Sequence, residues 1–193
     1  MVSNSRGPRS LSSVPSGIGC GIGTVEEAAA FGEVVVVAIP LGQYTTIPAE
    51  PLAGKLVLDA NNYYPDRDGH IAELDNREAT TSGLLAKHLP RSRVVKAFNA
   101  ITANDLEKDG TPAEALDRRA LPIAGEDATD KARTADLLKQ FGFDTVDAGS
   151  LSESWRFERG KPAYCRPLDR TGLVQALAKA ERYVELAEGA WLS

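Results

Sequence analysis

The chain is poor in the residues that make sites by themselves. Its 193 residues include two cysteines and two histidines. Cys20 and Cys165 lie far apart with no second cysteine or histidine at metal-ligand spacing, which excludes a disulfide framework or zinc module and points to a reducing cytoplasm. His70 and His88 have no Asp, Ser or Cys partner at a recognisable spacing, so no catalytic dyad is legible. His88, beside Leu85 and Leu89 on an expected helix, reads as structural. The longest apolar run, 34–39, is far short of a membrane span, and the first twenty residues are rich in Ser, Gly and Pro without a signal core. Lys and Arg number 22 against 27 Asp and Glu, for a net charge of -5, and are too scattered to form a nucleic-acid footprint. A glycine-rich nucleotide turn is also missing. Glycines stand at 17, 19, 21 and 23, but Ile22 and Thr24 occupy the places where the motif needs its last glycine, and no strand leads in. Residues 9–23 therefore read as a weak helix or a flexible connector.

What is present is an alternation of short apolar runs and helical patterns. A chain of this length buries about 70 % of its unfolded surface, enough for one domain. Strands are expected over 34–39, 55–58, 93–98, 120–124 and 143–147, the second buried on both faces because its side chains show no polar alternation. Thr24 and Glu27 form a capping box that opens a helix over 24–31. Further helices are expected over 81–89, 102–108, 127–140 and 169–188, and 65–77 reads as polar and irregular. Strand and helix alternating through short connections imply an α/β fold, a parallel sheet with helices on both faces. Residues 1–150 form the main domain, and 151–193, an aromatic segment and a helix, a small appendage of the same unit.

Three of these strands end in small polar loops: 34–39 in Pro40-Leu41-Gly42, 55–58 in Asp59-Ala60-Asn61-Asn62, and 93–98 in Asn99. The carboxyl ends of parallel strands are where open sheets bind ligands. Small residues there admit a ribose or a ring close to the backbone, and Asn supplies both donors and acceptors, although Asn61 and Asn62 also suit turns. Asn4-Ser5-Arg6 follows what reads as the end of a strand at Val2-Ser3. In a dinucleotide-binding fold an acid at that place holds the ribose of NAD, whereas Ser and Arg receive the phosphate of NADP. Arg6 could equally be an exposed residue near a terminus. Tyr63, Tyr64, Trp155 and Phe157 could stack on a second flat ring or simply pack.

Taken in order, Asn4-Ser5-Arg6, Thr24-Val25-Glu26-Glu27-Ala28, Ala38-Ile39-Pro40, Asp59-Ala60-Asn61-Asn62, Val94-Val95-Lys96-Ala97-Phe98-Asn99, Ala124-Gly125-Glu126-Asp127 and Asp147-Ala148-Gly149-Ser150-Leu151 resemble the coenzyme F420-dependent NADP oxidoreductase family. The cytosolic domain of six-transmembrane metalloreductases is a more distant likeness. The resemblance implies a Rossmann-type NAD(P)-binding sheet, with Asn4, Ser5 and Arg6 at the adenosine phosphate of NADP(H). Ala38, Ile39, Pro40 and Leu41 are then beside the pyrophosphate and nicotinamide ribose, and Asn61, Asn62, Ala97, Phe98 and Asn99 on the nicotinamide side. It further implies hydride transfer to a small-molecule redox substrate, coenzyme F420 or a flavin, in a cytoplasmic homodimer that uses neither membrane nor nucleic acid. No catalytic residue or metal ligand is assigned. Family members open with a strand and a G-x-G-x-x-G turn, and this chain starts about 30 residues too late to contain that unit. A bare sheet edge is expected in consequence. The alternative is a non-catalytic or truncated binding module of the same fold.

Overall fold

The computed structural model describes residues 1–187 and 189. Five strands form one sheet in the order β1 (Val34–Val37), β2 (Leu56–Asp59), β3 (Arg93–Lys96), β4 (Ala120–Gly125) and β5 (Asp144–Asp147). The first three are parallel, as are β4 and β5, but β4 runs antiparallel to β3. The expected parallel sheet is therefore found with one reversed step, between β3 and β4. Between β3 and β4 the chain makes only a short helix and a loop, which return it to the end of β3 that it left. An antiparallel neighbour needs no crossover.

Side chains alternate across β2 and β3 and so divide the core. Leu56, Leu58 and Val95 pack on one face with Leu138, from α7 (Ala128–Gln140), and Phe143. Val57 and Val94 face the other way, against Ala29 of α2 (Val25–Phe31) and Leu85 of α5 (Thr81–His88). A third cluster sets Leu173 and Leu177 of α8 (Arg170–Ala178) against Ala124 and Val146. Helices thus cover both faces. The Thr24 capping box is formed in full. Lys55 reaches back to the carbonyls of Ala29 and Ala30, where a cation suits the end of α2.

Among the described residues no strand pairs with the outer edge of β1, and Val36 on it is 53 % exposed. Val2 makes only an isolated bridge to Ile22, away from the sheet. Through 8–23 two short helical turns form, a 3₁₀ turn (Pro8–Leu11) and α1 (Val14–Ile18). The stretch 65–77 is more regular than expected, with α3 (Pro65–Asp68) and α4 (Ala72–Asp75). The helix α6 (Ala103–Lys108) is capped by Thr102. The last expected helix stops at Ala178 rather than running to 188, because the chain beyond turns back onto Lys161. That lysine gathers the carbonyls of Glu181, Arg182 and Val184 at 2.8, 3.0 and 2.7 Å. The end of that expected helix, Glu188, lies outside the described residues, and so do 190–193 of the appendage.

Candidate functional site

The cleft begins where β1 and β2 end. The carboxylate of Asp59 accepts the Asn61 amide at 3.0 Å and so bends the chain immediately after the strand. The Asn61 Oδ1 then accepts the amide of Ile39 at 2.8 Å, stitching the loop after β2 to the loop after β1. Between them opens a cleft of about 310 Å³ lined by Ala38, Ile39, Pro40, Ala60, Asn61 and Asn62, with Tyr64 and Arg67 at one side. Gly42 keeps the adjoining turn close to α3, since a Cβ there would stand 2.5 Å from the Asp68 carbonyl oxygen. The Arg67 guanidinium lies 4.6 Å from the centre of the Tyr64 ring and donates to Asp68 and to the Asn62 carbonyl. The Asp68 bond holds Arg67 above the ordinary arginine range. Asp68 in turn, although burial opposes its charge, is held below the usual carboxylate range by Arg67 and the Tyr64 amide. A fixed guanidinium, its charge compensated by Asp68, therefore stands at the cleft wall.

Behind the cleft is a buried polar network. Asp59 and Lys96 are register partners on adjacent strands, on the α5 face, and both are fully buried. The Lys96 ammonium donates to Thr81 Oγ1 at 2.5 Å, the Asn61 carbonyl at 3.1 Å and Ser82 Oγ at 3.4 Å. Each hydroxyl passes a hydrogen bond onward, Ser82 to Asp59 at 2.5 Å and Thr81 to Glu158 at 2.9 Å. Thr81 and Glu158 also line a second cavity of about 290 Å³, walled by Tyr63, Trp155, Lys161 and Arg182 among others.

Of the twelve residues singled out from the sequence, Ala38, Ile39, Pro40, Asn61 and Asn62 line the cleft. Asn99 is buried behind it, donating to Asn62 Oδ1 at 3.2 Å and to the Phe157 carbonyl at 2.9 Å. Leu41 is fully buried against Leu74 and Leu84 and bears on the cleft through packing. Ala97 and Phe98 turn to the opposite face, where Phe98 meets Phe141 edge to face. Ser5 and Arg6 form an exposed turn, with the half-buried Asn4 side chain accepting the Arg6 amide, and none of the three is among the residues lining the cleft.

The aromatic candidates separate in the same way. Phe157 is core. The Tyr63 hydroxyl serves Ile71 and Asp75, and Tyr64 bonds the Tyr164 hydroxyl at 2.7 Å beside the cleft. Trp155 is ringed by Arg156, Arg182 and Lys161. His88 bonds the Ile47 carbonyl, as a structural residue does, whereas His70 has a partner that its spacing concealed, Asp75 at 3.0 Å.

Sequence reasoning passed over Lys96, Thr81, Ser82, Glu158 and Arg67. For Lys96 a signal existed: a lysine inside Val-Val-Lys-Ala-Phe sits in a strand with no solvent side and must find buried partners. Among the described residues no group of three or more His, Cys, Asp or Glu could hold a metal ion, and no helix is long and apolar enough to cross a membrane. Both cysteines are free thiols.

The elements that build the cleft are those that match a known family. Residues 1–63 fit the model of the NADP oxidoreductases that are coenzyme F420-dependent. The likeness to that family therefore lies over the first third of the chain. The chain is 30 % identical over 138 residues to the metalloreductase STEAP3 of Rattus norvegicus, a match covering 69 % of this chain and 26 % of the metalloreductase. It spans 52 % of the protein YjhV of Escherichia coli, at 31 % identity. The chain thus spans about a quarter of the one curated relative and about half of the other. A solved hypothetical protein from Sinorhizobium meliloti superposes with a TM-score of 0.72 at 28 % identity, covering 87 % of this chain and 82 % of that one. A candidate F420-dependent NADP-reductase from Arthrobacter sp. superposes at 0.56 and 24 % identity, over 69 % of this chain and 62 % of that one, and shares the fold.

Proposed function

We propose that the chain binds NADP(H) along the cleft at the ends of β1 and β2 and serves hydride exchange with a flavin or deazaflavin of the coenzyme F420 type. The observation that carries this is Asn61. It lines the cleft, its Oδ1 is committed to Ile39, and its buried Nδ2 has no partner among the described residues. An orphaned buried donor at a cleft is a costly feature unless a ligand oxygen meets it. With the open backbone at 38–40 and the Arg67 guanidinium, it is the donor set that a ribose, a carboxamide and a phosphate need, so the residues present fit the cofactor.

NADPH, when bound, supplies the hydride. The protein's own residues bind and orient, and hydride transfer of this kind calls for positioning and exclusion of water rather than a general acid. Arg6 is the residue for the 2′-phosphate, a charge-assisted contact contributing about 1.5 to 3 kcal/mol. The reading carries with it a cytoplasmic location and a homodimer paired through 151–193, which sedimentation velocity checks.

Calorimetric titration with NADPH and NADH in parallel tests it. Micromolar NADPH binding is expected, with NADPH oxidation on adding F420 or a flavin. Arg6→Ala should weaken NADPH at least about tenfold and leave NADH unchanged; unaltered NADPH affinity removes Arg6 from the phosphate site. A second reading, a module that keeps the fold and holds little dinucleotide, is favoured by the bare outer edge of β1, and absence of binding to either nucleotide would select it.

A further inference from the structure

We propose that Lys96 is a positioning residue which ties the setting of the cleft to Glu158 on the wall of the second cavity. Neutralising Asp59 does not account for where its ammonium points. Asp59 is already served by the Ser82 hydroxyl and the Asn61 amide, and the Lys96 Nζ stands 3.8 Å from it, beyond hydrogen-bond distance. The short bonds of Lys96 go instead to Thr81 Oγ1 and the Asn61 carbonyl.

Each proton in this chain has one direction. The ammonium can only donate, so Thr81 must accept from it and spend its own proton on Glu158, which also accepts the Thr81 amide at 2.9 Å. At the other end the same ammonium fixes the Asn61 peptide, whose side chain holds the Ile39 amide inside the cleft. Five groups from five separate parts of the chain therefore set one another's orientation: Glu158, Thr81, Lys96, Asn61 and Ile39. Glu158 lies outside the cleft and lines the second cavity with Thr81. Whatever displaces its carboxylate frees the Thr81 hydroxyl, redirects the ammonium and loosens the stitch between the loops after β1 and β2.

The link to nucleotide affinity rests on the NADP(H) reading; the link to Ile39 does not. Amide hydrogen exchange therefore tests the tie, with NADPH titration run beside it. Thr81→Val keeps the branched shape and removes the relay hydroxyl, and it should speed Ile39 exchange by about fivefold or more, the effect of losing one buried hydrogen bond. Glu158→Ala, which touches nothing in the cleft, should speed it by about two- to fivefold. The central β2 amides of Val57 and Leu58 should be unchanged in both. An Ile39 rate equal to wild type in either variant overturns the proposal, as does uniform acceleration of every amide, which would mean lost stability alone. Should Thr81→Val fail to fold, Glu158→Ala, at a partly exposed position, carries the test. If wild-type protein binds no NADPH while Ile39 responds as described, the cofactor reading fails and the tie stands; if NADPH binds and Ile39 does not respond, the tie fails alone.

Discussion

Lys96 and Lys161 are both almost wholly buried, yet one is bonded to hydroxyls of α5 and a single carbonyl, and the other to three carbonyls of a returning segment. The difference lies in what each ammonium compensates. Around Lys96 two carboxylates, Asp59 and Glu158, stand within 4.0 Å, so its charge is needed by its neighbours as much as its protons are. Around Lys161 the acceptors are three carbonyls, which carry partial charge only. Burial first, and Arg77 second, push its pKa below the ordinary lysine value, against the pull of Glu185 and Glu158. A buried lysine held by carbonyls staples a chain, whereas one held between carboxylates governs the electrostatics of a site.

Replacing each in turn is the strongest way to break this contrast. Lys96→Met strands buried negative charge and should cost about 3 to 5 kcal/mol in denaturant unfolding. Lys161→Met leaves carbonyls unpaired and should cost about 1 to 3 kcal/mol. Equal losses would show that charge compensation adds nothing at Lys96.

Alkaline titration separates the two regions next. Burial pushes the Cys165 thiol, beside the appendage helix, up to about 11, against some lowering by the Tyr164 bond and Arg119. Because its folded value lies above its unfolded one, this contribution is complete below pH 9 and is lost as pH climbs towards 11, at up to about 1.4 kcal/mol per pH unit. The difference in stability between wild type and Cys165→Ala should shrink through that window; a constant difference refutes the burial effect. Last and smallest, Tyr64→Phe cuts the Tyr64–Tyr164 bond that joins cleft and appendage, for about 0.5 to 1.5 kcal/mol. A silent substitution would mean that the two regions are held together by packing.

How far the sequence revealed these features depended on the range of the interaction. The strands, the Thr24 box and the loops at 38–40 and 59–62 are encoded locally, by β-branched runs, cap spacing and small polar residues, and all are found where the pattern puts them. Lys96 and Glu158 meet across 62 positions, and no periodicity reports that meeting. Phe98 misled for a related reason: next to Asn99 it reads as cleft, and the alternation of β3 would keep it on the Lys96 face, but a positive φ of 65° turns it to the far face. The reversal of β4 was hidden because an apolar run such as 120–125 looks the same in either direction. The helix from Arg170 was overextended because its stripe continues past Ala178, while the capture of 181–184 by Lys161 is a tertiary event.

The antiparallel step in the sheet has a mechanical side. Four Cα pairs join β1 to β2, four join β2 to β3, and four join β4 to β5, but β3 meets β4 through two. The sheet is therefore two plates with a narrow seam, and the cleft belongs wholly to the first. The chain recrosses that seam after β5, where Asn99 grips the Phe157 carbonyl and Thr81 grips Glu158. These bonds act as a strap across a hinge line: cooperative opening at low free energy should begin at Val95 and Ala124 rather than within either plate, and the strap decides how wide it goes.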